Sequence, residues 1–581
     1  LSWWPANQTS QTDTLIKIFI RRNDLTSVII PCTMKKLLTI FVFFLFTSET
    51  FAYTKYWVVF TDKNATPYSV SNPSAFLSPR SIQRRQNQNI SVTTADLPVD
   101  PNYVAQVLAT GAVTLNYTSR WLNAISITTT DAAALTAIGN LSFVQSMGPV
   151  RRVGHADHFS EEADLANAIS NERTINSSSA QSYNYGPSYN QVHQINVDCL
   201  HNSGYNGAGK IIAVLDDGFN NVNIIPAFDS IRLNNQILGT YDFVLGTPNV
   251  YGVGGHGTMC LSDMAANLPG QFIGTAPGAS YYLLRTEDAT TEYLIEEDNW
   301  VAGAEYADSV GADIISTSLY YEEFDDPSQN HVYADMDGRT TVCAIAAVYT
   351  ARVGMLTFAC AGNSGTSPWF YIGSPADADS ILAVGAVDAT GTIANFSSRG
   401  PSADGRIKPD ISALGVNAIV VNSSGNVTTA SGTSFATPLS AGGAACLWQS
   451  SPANTAMQLR HAIQMSADQW NAPDSLKGYG IPDYCLSNII LSHQTQNATA
   501  INFEVSPNPN NGSMNFSLAV PLENLGLIEL CDVTGKTIYT TAISPGQKNI
   551  SINENFAEGI YFCRLMENGN LIATKKVIVF K

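Results

Sequence analysis

Four short runs of apolar and small residues, with no charge beyond the opening Lys210, constrain this chain more than any other feature. They are Lys210-Ile211-Ile212-Ala213-Val214-Leu215, Ile314-Ile315-Ser316-Thr317-Ser318-Leu319, Leu356-Thr357-Phe358-Ala359-Cys360-Ala361 and Ile381-Leu382-Ala383-Val384-Gly385-Ala386. None alternates with polar residues, so each reads as a strand covered on both faces. Helical stretches lie around and between them, over residues 258–267, 293–309 and 342–353. This pattern predicts an α/β domain over 185–490, a mostly parallel sheet covered by helices. Functional residues in such sheets sit just past the carboxyl ends of strands. Asp216 and Asn363 occupy such positions.

The flanks read differently. Over 53–160, strands are expected at 56–61, 113–117, 124–129 and 143–147, with helices at 103–109 and 131–138, the latter capped by Asp131. That order, β-α-β-β-α-β, is a small ferredoxin-like α+β unit. A basic helix, Ser78-Pro79-Arg80-Ser81-Ile82-Gln83-Arg84-Arg85, is inserted after its first strand. Residues 161–184 turn polar and read as a linker and cleavage zone. Over 497–581 helical periodicity vanishes, and short alternating strands predict a small C-terminal β-sandwich.

At the other end, Met34-Lys35-Lys36 precedes the apolar run 37–46 and Thr50-Phe51-Ala52. A basic start, a short apolar centre and small residues at its close describe a signal peptide over 34–52. Translation is then expected to begin at Met34, with residues 1–33 an upstream reading-frame artefact. Export permits disulfides, and six of the nine cysteines (Cys199, Cys260, Cys343, Cys360, Cys446, Cys485) lie in the middle of the chain. Sequence does not choose their pairing. Cys260 and Cys446 sit in apolar helical contexts that suit buried, unpaired thiols. The net charge of −18 argues against nucleic acid or anionic lipid as partners.

The stretch Ala430-Ser431-Gly432-Thr433-Ser434-Phe435-Ala436-Thr437-Pro438 opens a small-residue helix read over 439–448. A serine there lies near backbone N–H groups without intrahelical partners, and Pro438 is tolerable in a first turn. Three further segments can complete a nucleophilic site. Asp216 follows the first buried strand. His256 lies in Gly254-Gly255-His256-Gly257-Thr258, entering a helix, and Asn363 lies in Ala361-Gly362-Asn363-Ser364-Gly365. A hydroxyl nucleophile needs a base, an orienter for that base and donors for the oxyanion. Alone, each segment reads more readily as a turn, a loop or a helix cap; the four together do not.

Val214-Leu215-Asp216-Asp217-Gly218, His256-Gly257-Thr258, Ala361-Gly362-Asn363 and Gly432-Thr433-Ser434-Phe435-Ala436-Thr437-Pro438 resemble the signature segments of subtilisin-like serine peptidases. The resemblance implies a subtilisin-like fold and a secreted endopeptidase acting on protein or peptide substrates. It assigns Ser434 as nucleophile, His256 as general base and acid, and Asp216 as orienter. Asn363 and the Ser434 N–H would form the oxyanion hole. Ser318, Leu319, Ala361 and Gly362 would line the substrate cleft. Asp217 departs from the family's usual Ser/Thr and sets a second carboxyl beside Asp216.

Residues 53–150 look like the family's inhibitory prodomain, which implies a zymogen. The segments Val505-Ser506-Pro507-Asn508-Pro509, Gly559-Ile560-Tyr561-Phe562 and Lys575-Lys576-Val577-Ile578 resemble the sorting domain of the Bacteroidetes type IX secretion system. That implies the secretion machinery as partner and a secreted or cell-surface location reached via the periplasm. A catalytically silent subtilase-fold surface protein is the alternative reading; chain order and the prodomain disfavour an esterase or lipase. No cofactor is required and no metal ligand is assigned. The family's structural calcium is weighed on the acidic stretch 322–337, where a solvated acidic loop is favoured because the EF-hand pattern is lacking.

Overall fold

A computed structural model of the chain describes residues 53–152, 183–498 and 503–580, apart from 519–520, 523, 533–535 and 568–569. The expected leader and signal segments, and nearly all of the linker, lie outside the described residues.

The first unit contains β1 (Tyr53–Phe60), α1 (Pro79–Asn87), α2 (Pro101–Leu108), β2 (Thr114–Ser119), β3 (Ala124–Thr128), α3 (Ala132–Gly139) and β4 (Val144–Arg152). The strands form one antiparallel sheet in the order β2-β3-β1-β4, the ferredoxin-like arrangement. Caps fix the helix starts: Asp131 accepts from the amides of Ala133 and Ala134, and Ser78 accepts from Ser81 with Pro79 opening α1.

The central domain is built on seven parallel strands: β5 (Ile211–Asp216), β6 (Ile237–Asp242), β7 (Ser280–Arg285), β8 (Ile314–Thr317), β9 (Leu356–Cys360), β10 (Leu382–Val387) and β11 (Ile411–Leu414), in the order β11-β10-β9-β8-β5-β7-β6. Alternate residues serve opposite cores: Ile212 and Val214 of β5 enter one, while Ala213 and Leu215 enter the other. That double burial is why the runs do not alternate between apolar and charged residues. Helices α4 (Val197–Asn202), α5 (His256–Ala265), α6 (Ile295–Val310), α7 (Val342–Arg352), α8 (Thr433–Ser450) and α9 (Tyr484–Ala498) surround the sheet. Helix α8 is apolar on every side and buried from Thr433 to Trp448, as befits a central helix. A side chain on Gly442 would stand 2.0 Å from Thr275 Oγ1, so glycine permits that close approach.

The first unit docks on α6. Arg84, Arg85 and Arg120 all contact the buried Asp308 carboxylate; Arg85 does so at 2.8 Å through each terminal nitrogen. Trp121 stacks on Tyr349 of α7 with ring centroids 5.7 Å apart. The C-terminal strands β12 (Phe503–Ser506), β13 (Ser513–Leu518), β14 (Gly526–Cys531), β15 (Thr537–Ile543), β16 (Asn549–Asn553), β17 (Gly559–Glu567) and β18 (Asn570–Val579) form antiparallel sheets β12-β13-β16 and β15-β14-β17-β18. Phe516 and Ile552 from one and Leu530, Cys563 and Val577 from the other share a core, a small sandwich.

Candidate active site

Strand β5 ends at Asp216, which is wholly buried. Its Oδ1 accepts from Asp217 N at 2.9 Å and lies 2.7 Å from His256 Nδ1. His256 opens α5, whose preceding residue, Gly255, offers no side chain as a cap. Asp217 supplies the cap from outside the helix: Oδ1 accepts from Gly257 N at 3.0 Å and Oδ2 from Gly255 N at 3.2 Å. The helix comes this close because residue 257 is glycine; a Cβ there would stand 2.8 Å from Asp216 Cβ. Burial, then the field of Asp216, pushes the Asp217 carboxyl up to about 6 against the pull of these amides.

Ser434 lies in the first turn of α8. This helix begins at Thr433, six residues before the predicted start, and Pro438 sits inside it rather than in its first turn. Pro438 has no N–H to donate to the carbonyl four residues back, that of Ser434. Ser318 Oγ donates to that carbonyl at 2.7 Å and the Cys260 thiol at 3.5 Å. In return, Ser434 Oγ donates to Ser318 O at 3.5 Å. Cys260 is one turn along from His256, with Sγ 3.8 Å from Nδ1, so α5 and α8 meet at the base of the site. Burial raises this thiol to about 12, which keeps it neutral. The rings of His256 and Phe435 lie 5.9 Å apart.

Asn363 leaves β9 through Gly362, whose φ of +104° suits glycine. Its Oδ1 accepts from Thr433 N at 2.9 Å and from Thr433 Oγ1 at 3.0 Å. These two bonds fix which amide atom is oxygen and turn Nδ2 the other way. A Cβ built on Gly432 would lie 3.6 Å from Asn363 Nδ2 and 3.6 Å from Ser434 N, so the two donors border one open point.

Asp216, His256, Ser434 and Asn363 therefore gather at the carboxyl ends of neighbouring strands, with Ser318 alongside. Leu319 and Ala361 turn their side chains into the core beneath, so what they offer a ligand is backbone. Thr433 and the Asp217 cap lie outside the set of site residues expected from the sequence, and Ser318, expected as a cleft residue, also binds the Ser434 carbonyl through its hydroxyl. The first lies inside the serine motif and the second beside Asp216, but their partners are far away in sequence. Nearby, burial and then the Asp217 field raise Glu287 to about 8. Glu287, Glu292 and Glu296 bring carboxylate oxygens within 4.8 Å of one another, a grouping that no spacing rule flagged.

On the acidic stretch, Asp326 accepts from Ser328 N, Asp335 from Val332 N, and Asp337 from Arg339 N and Thr340 N. Those carboxylates cap their own turns, which does not fit a calcium loop. Cys260 and Cys446 are buried and unpaired, and Cys199 is bonded to Cys485.

Comparison with known proteins converges on the same segments. The model described as "Subtilase family" matches residues 207–480. "Peptidase S8 propeptide domain, Bacteroidota" matches 55–164, and "Secretion system C-terminal sorting domain" matches 504–580. Serine protease AprX of Bacillus subtilis (strain 168) is 32% identical over 303 residues, 46% of this chain and 63% of that protein. Subtilisin E of the same strain is 32% identical over 294 residues, 50% of this chain and 67% of the relative. Subtilisin of Bacillus pumilus is 31% identical over 294 residues, 50% of this chain and 92% of the relative. The propeptide and sorting domains mark a secreted or cell-surface protein of the Bacteroidetes. The chain belongs to the subtilase family of serine endopeptidases.

Proposed function

We propose that this chain hydrolyses peptide bonds in proteins through Asp216, His256 and Ser434 and an acyl-enzyme intermediate. The observation that carries the reading is the 2.7 Å contact of Asp216 Oδ1 with His256 Nδ1, at a helix packed against the one bearing Ser434. The carboxylate holds the Nδ1 proton, so Nε2 is the atom that accepts the Ser434 proton as Oγ attacks the substrate carbonyl. The charge that develops on the carbonyl oxygen is met by Ser434 N–H and Asn363 Nδ2. Protonated His256 then gives its proton to the leaving amine, and water repeats the sequence to release the acid.

None of these steps uses a metal or cofactor. The first unit acts as an intramolecular inhibitor until it is cleaved away, and the C-terminal sandwich hands the protein to the type IX machinery. Labelling with a fluorophosphonate tests the catalytic reading. The processed wild type is expected to label and to digest casein, while Ser434→Ala does neither. A wild type that stays unlabelled would favour the silent surface protein.

A further inference from the structure

One carboxylate of the acidic stretch is not spent on its own loop. Glu322 Oε1 accepts from Ser364 Oγ at 2.6 Å, and Ser364 directly follows Asn363. Glu322 Oε2 is buried without a hydrogen-bond partner among the described residues. Burial raises this carboxyl to about 7, opposed by the Ser364 bond and helped by the field of Glu323.

The surroundings are those of a cleft wall. Segment 318–322 leaves β8 beside Ser434, and segment 361–364 leaves β9 through Gly362. The two are tied through a third: Tyr321 and Ser374 exchange backbone bonds at 2.8 and 3.1 Å, and Gly373 N donates to Ala361 O at 3.3 Å. The half-buried Tyr320 ring runs along the glycines of this wall; a Cβ on Gly362 or Gly373 would stand 3.2 or 2.8 Å from it. Asn363, at one end, borders the point where a reacting carbonyl oxygen would be held. Glu322 is fastened one residue further on.

We propose that Glu322 is the specificity-determining residue of the cleft, and that it selects a lysine or arginine side chain on the acyl side of the cleaved bond. This rests on the peptidase reading above. The aliphatic stem lies along Tyr320, and the cationic head supplies Oε2 with the donor that it lacks, as a buried acceptor requires. A neutral side chain of equal length leaves that oxygen unpaired, and discrimination between substrates arises from that difference.

The test uses the processed full chain and fluorogenic peptides that differ only at the acyl-side residue: Arg, Lys, Leu or Phe. Rates are normalised to sites titrated with fluorophosphonate, so a variant that folds poorly is still read. The wild type is expected to favour Arg and Lys over Leu by about 10-fold or more in kcat/KM. Glu322→Gln keeps an acceptor for Ser364 but removes the charge; it should lose that preference while its Leu and Phe rates stay within about 3-fold. Glu322→Lys should turn against Arg and Lys altogether. A labelled wild type without preference for basic residues, or a Gln variant that slows all four peptides alike, overturns the assignment of Glu322 alone. A wild type that neither labels nor cleaves any peptide overturns the peptidase reading and this inference with it.

Discussion

Ser318 Oγ donates to the Ser434 carbonyl at 2.7 Å, the carbonyl that Pro438 deprives of its helical donor. A helix defect and a side chain 116 residues upstream thus set the backbone that carries Ser434, the proposed nucleophile. Ser318→Ala leaves that carbonyl with only the longer Cys260 thiol contact, and it is expected to cost about 1–3 kcal/mol of stability, the penalty for a poorly satisfied buried acceptor. It should lower kcat more than it changes KM. In a Pro438→Ala background the helix can make its own bond to Ser434 O, so the cost of losing Ser318 Oγ should shrink. A double-mutant cycle read by urea denaturation checks this; strictly additive effects would refute the coupling.

Asn363 is held through its oxygen by Thr433, which turns its amide nitrogen away from that contact and toward the proposed oxyanion. Asn363→Ala should fold and label slowly, with kcat down by about 10²–10³ and KM little changed. Thr433→Val keeps the backbone donor to Asn363 Oδ1 and removes the hydroxyl, so a smaller loss in kcat is expected. Steady-state kinetics on one peptide substrate separates the two; equal losses would mean that Thr433 does more than orient the amide.

Much of this is legible from residue pattern, because a sheet buried on both faces imposes runs without charged alternation. The ends of those runs already marked Asp216 and Asn363. Elsewhere the determinants are long-range. A proline inside a helix is costly locally, so the pattern places the start of α8 after Pro438; the Ser318 hydroxyl and the Cys260 thiol, both distant in sequence, serve the carbonyl that the longer helix leaves without its donor. Asp217 reads as half of a turn until α5 folds back onto it. Cys199 and Cys485 carry no local sign of pairing, since the bond depends on where α4 and α9 meet.

Burial lifts the Asp217 carboxyl from an ordinary value of 3.8 to about 6 in the folded protein. The folded state therefore holds this proton more tightly between those values. Its contribution to stability is fully present below pH 3.8 and is lost as pH rises through 6, a change of up to about 3 kcal/mol. Asp217→Asn keeps one acceptor for the α5 amides and cannot ionise. Measured in a Ser434→Ala background to prevent self-digestion, wild-type residue 217 should lose ground to Asn between pH 4 and pH 7. A stability difference that is flat across that range would contradict the assigned shift.

Asp308 behaves oppositely. Burial disfavours its charge, but Arg120, Arg84 and Arg85 more than offset this and hold the carboxyl well below the usual range. Its contribution to docking of the first unit is present above the unfolded carboxylate value and is lost only as pH falls through the lowered one. Mild acid near pH 4 should therefore not loosen α1 through this group. Asp308→Ala, by contrast, strands buried guanidinium groups and should cost about 3–5 kcal/mol. Hydrogen exchange over residues 79–128 in the uncleaved Ser434→Ala protein reads both effects. Protection that collapses at pH 5 in the presence of Asp308 would be incompatible with this account.

Cys199 and Cys485 join α4 to α9 and close a loop with a sequence separation of 286. Chain entropy alone would make so long a crosslink worth roughly 6 kcal/mol. Part of that closure has a second holder. Tyr484, adjacent to the bridge, is buried against Gly443 and donates from its hydroxyl to Ser440 O at 2.6 Å. That packing keeps α9 docked in the folded state when the bridge is absent. Replacing both cysteines by serine should therefore leave a folded domain that unfolds at a lower temperature, with hydrogen-exchange protection falling first in α9. Reductant should reproduce the effect in the wild type and add nothing in the double variant, because Cys260, Cys343 and Cys446 are buried free thiols. If the double variant melts with the wild type and α9 stays protected, Tyr484 and its contacts suffice to close the domain.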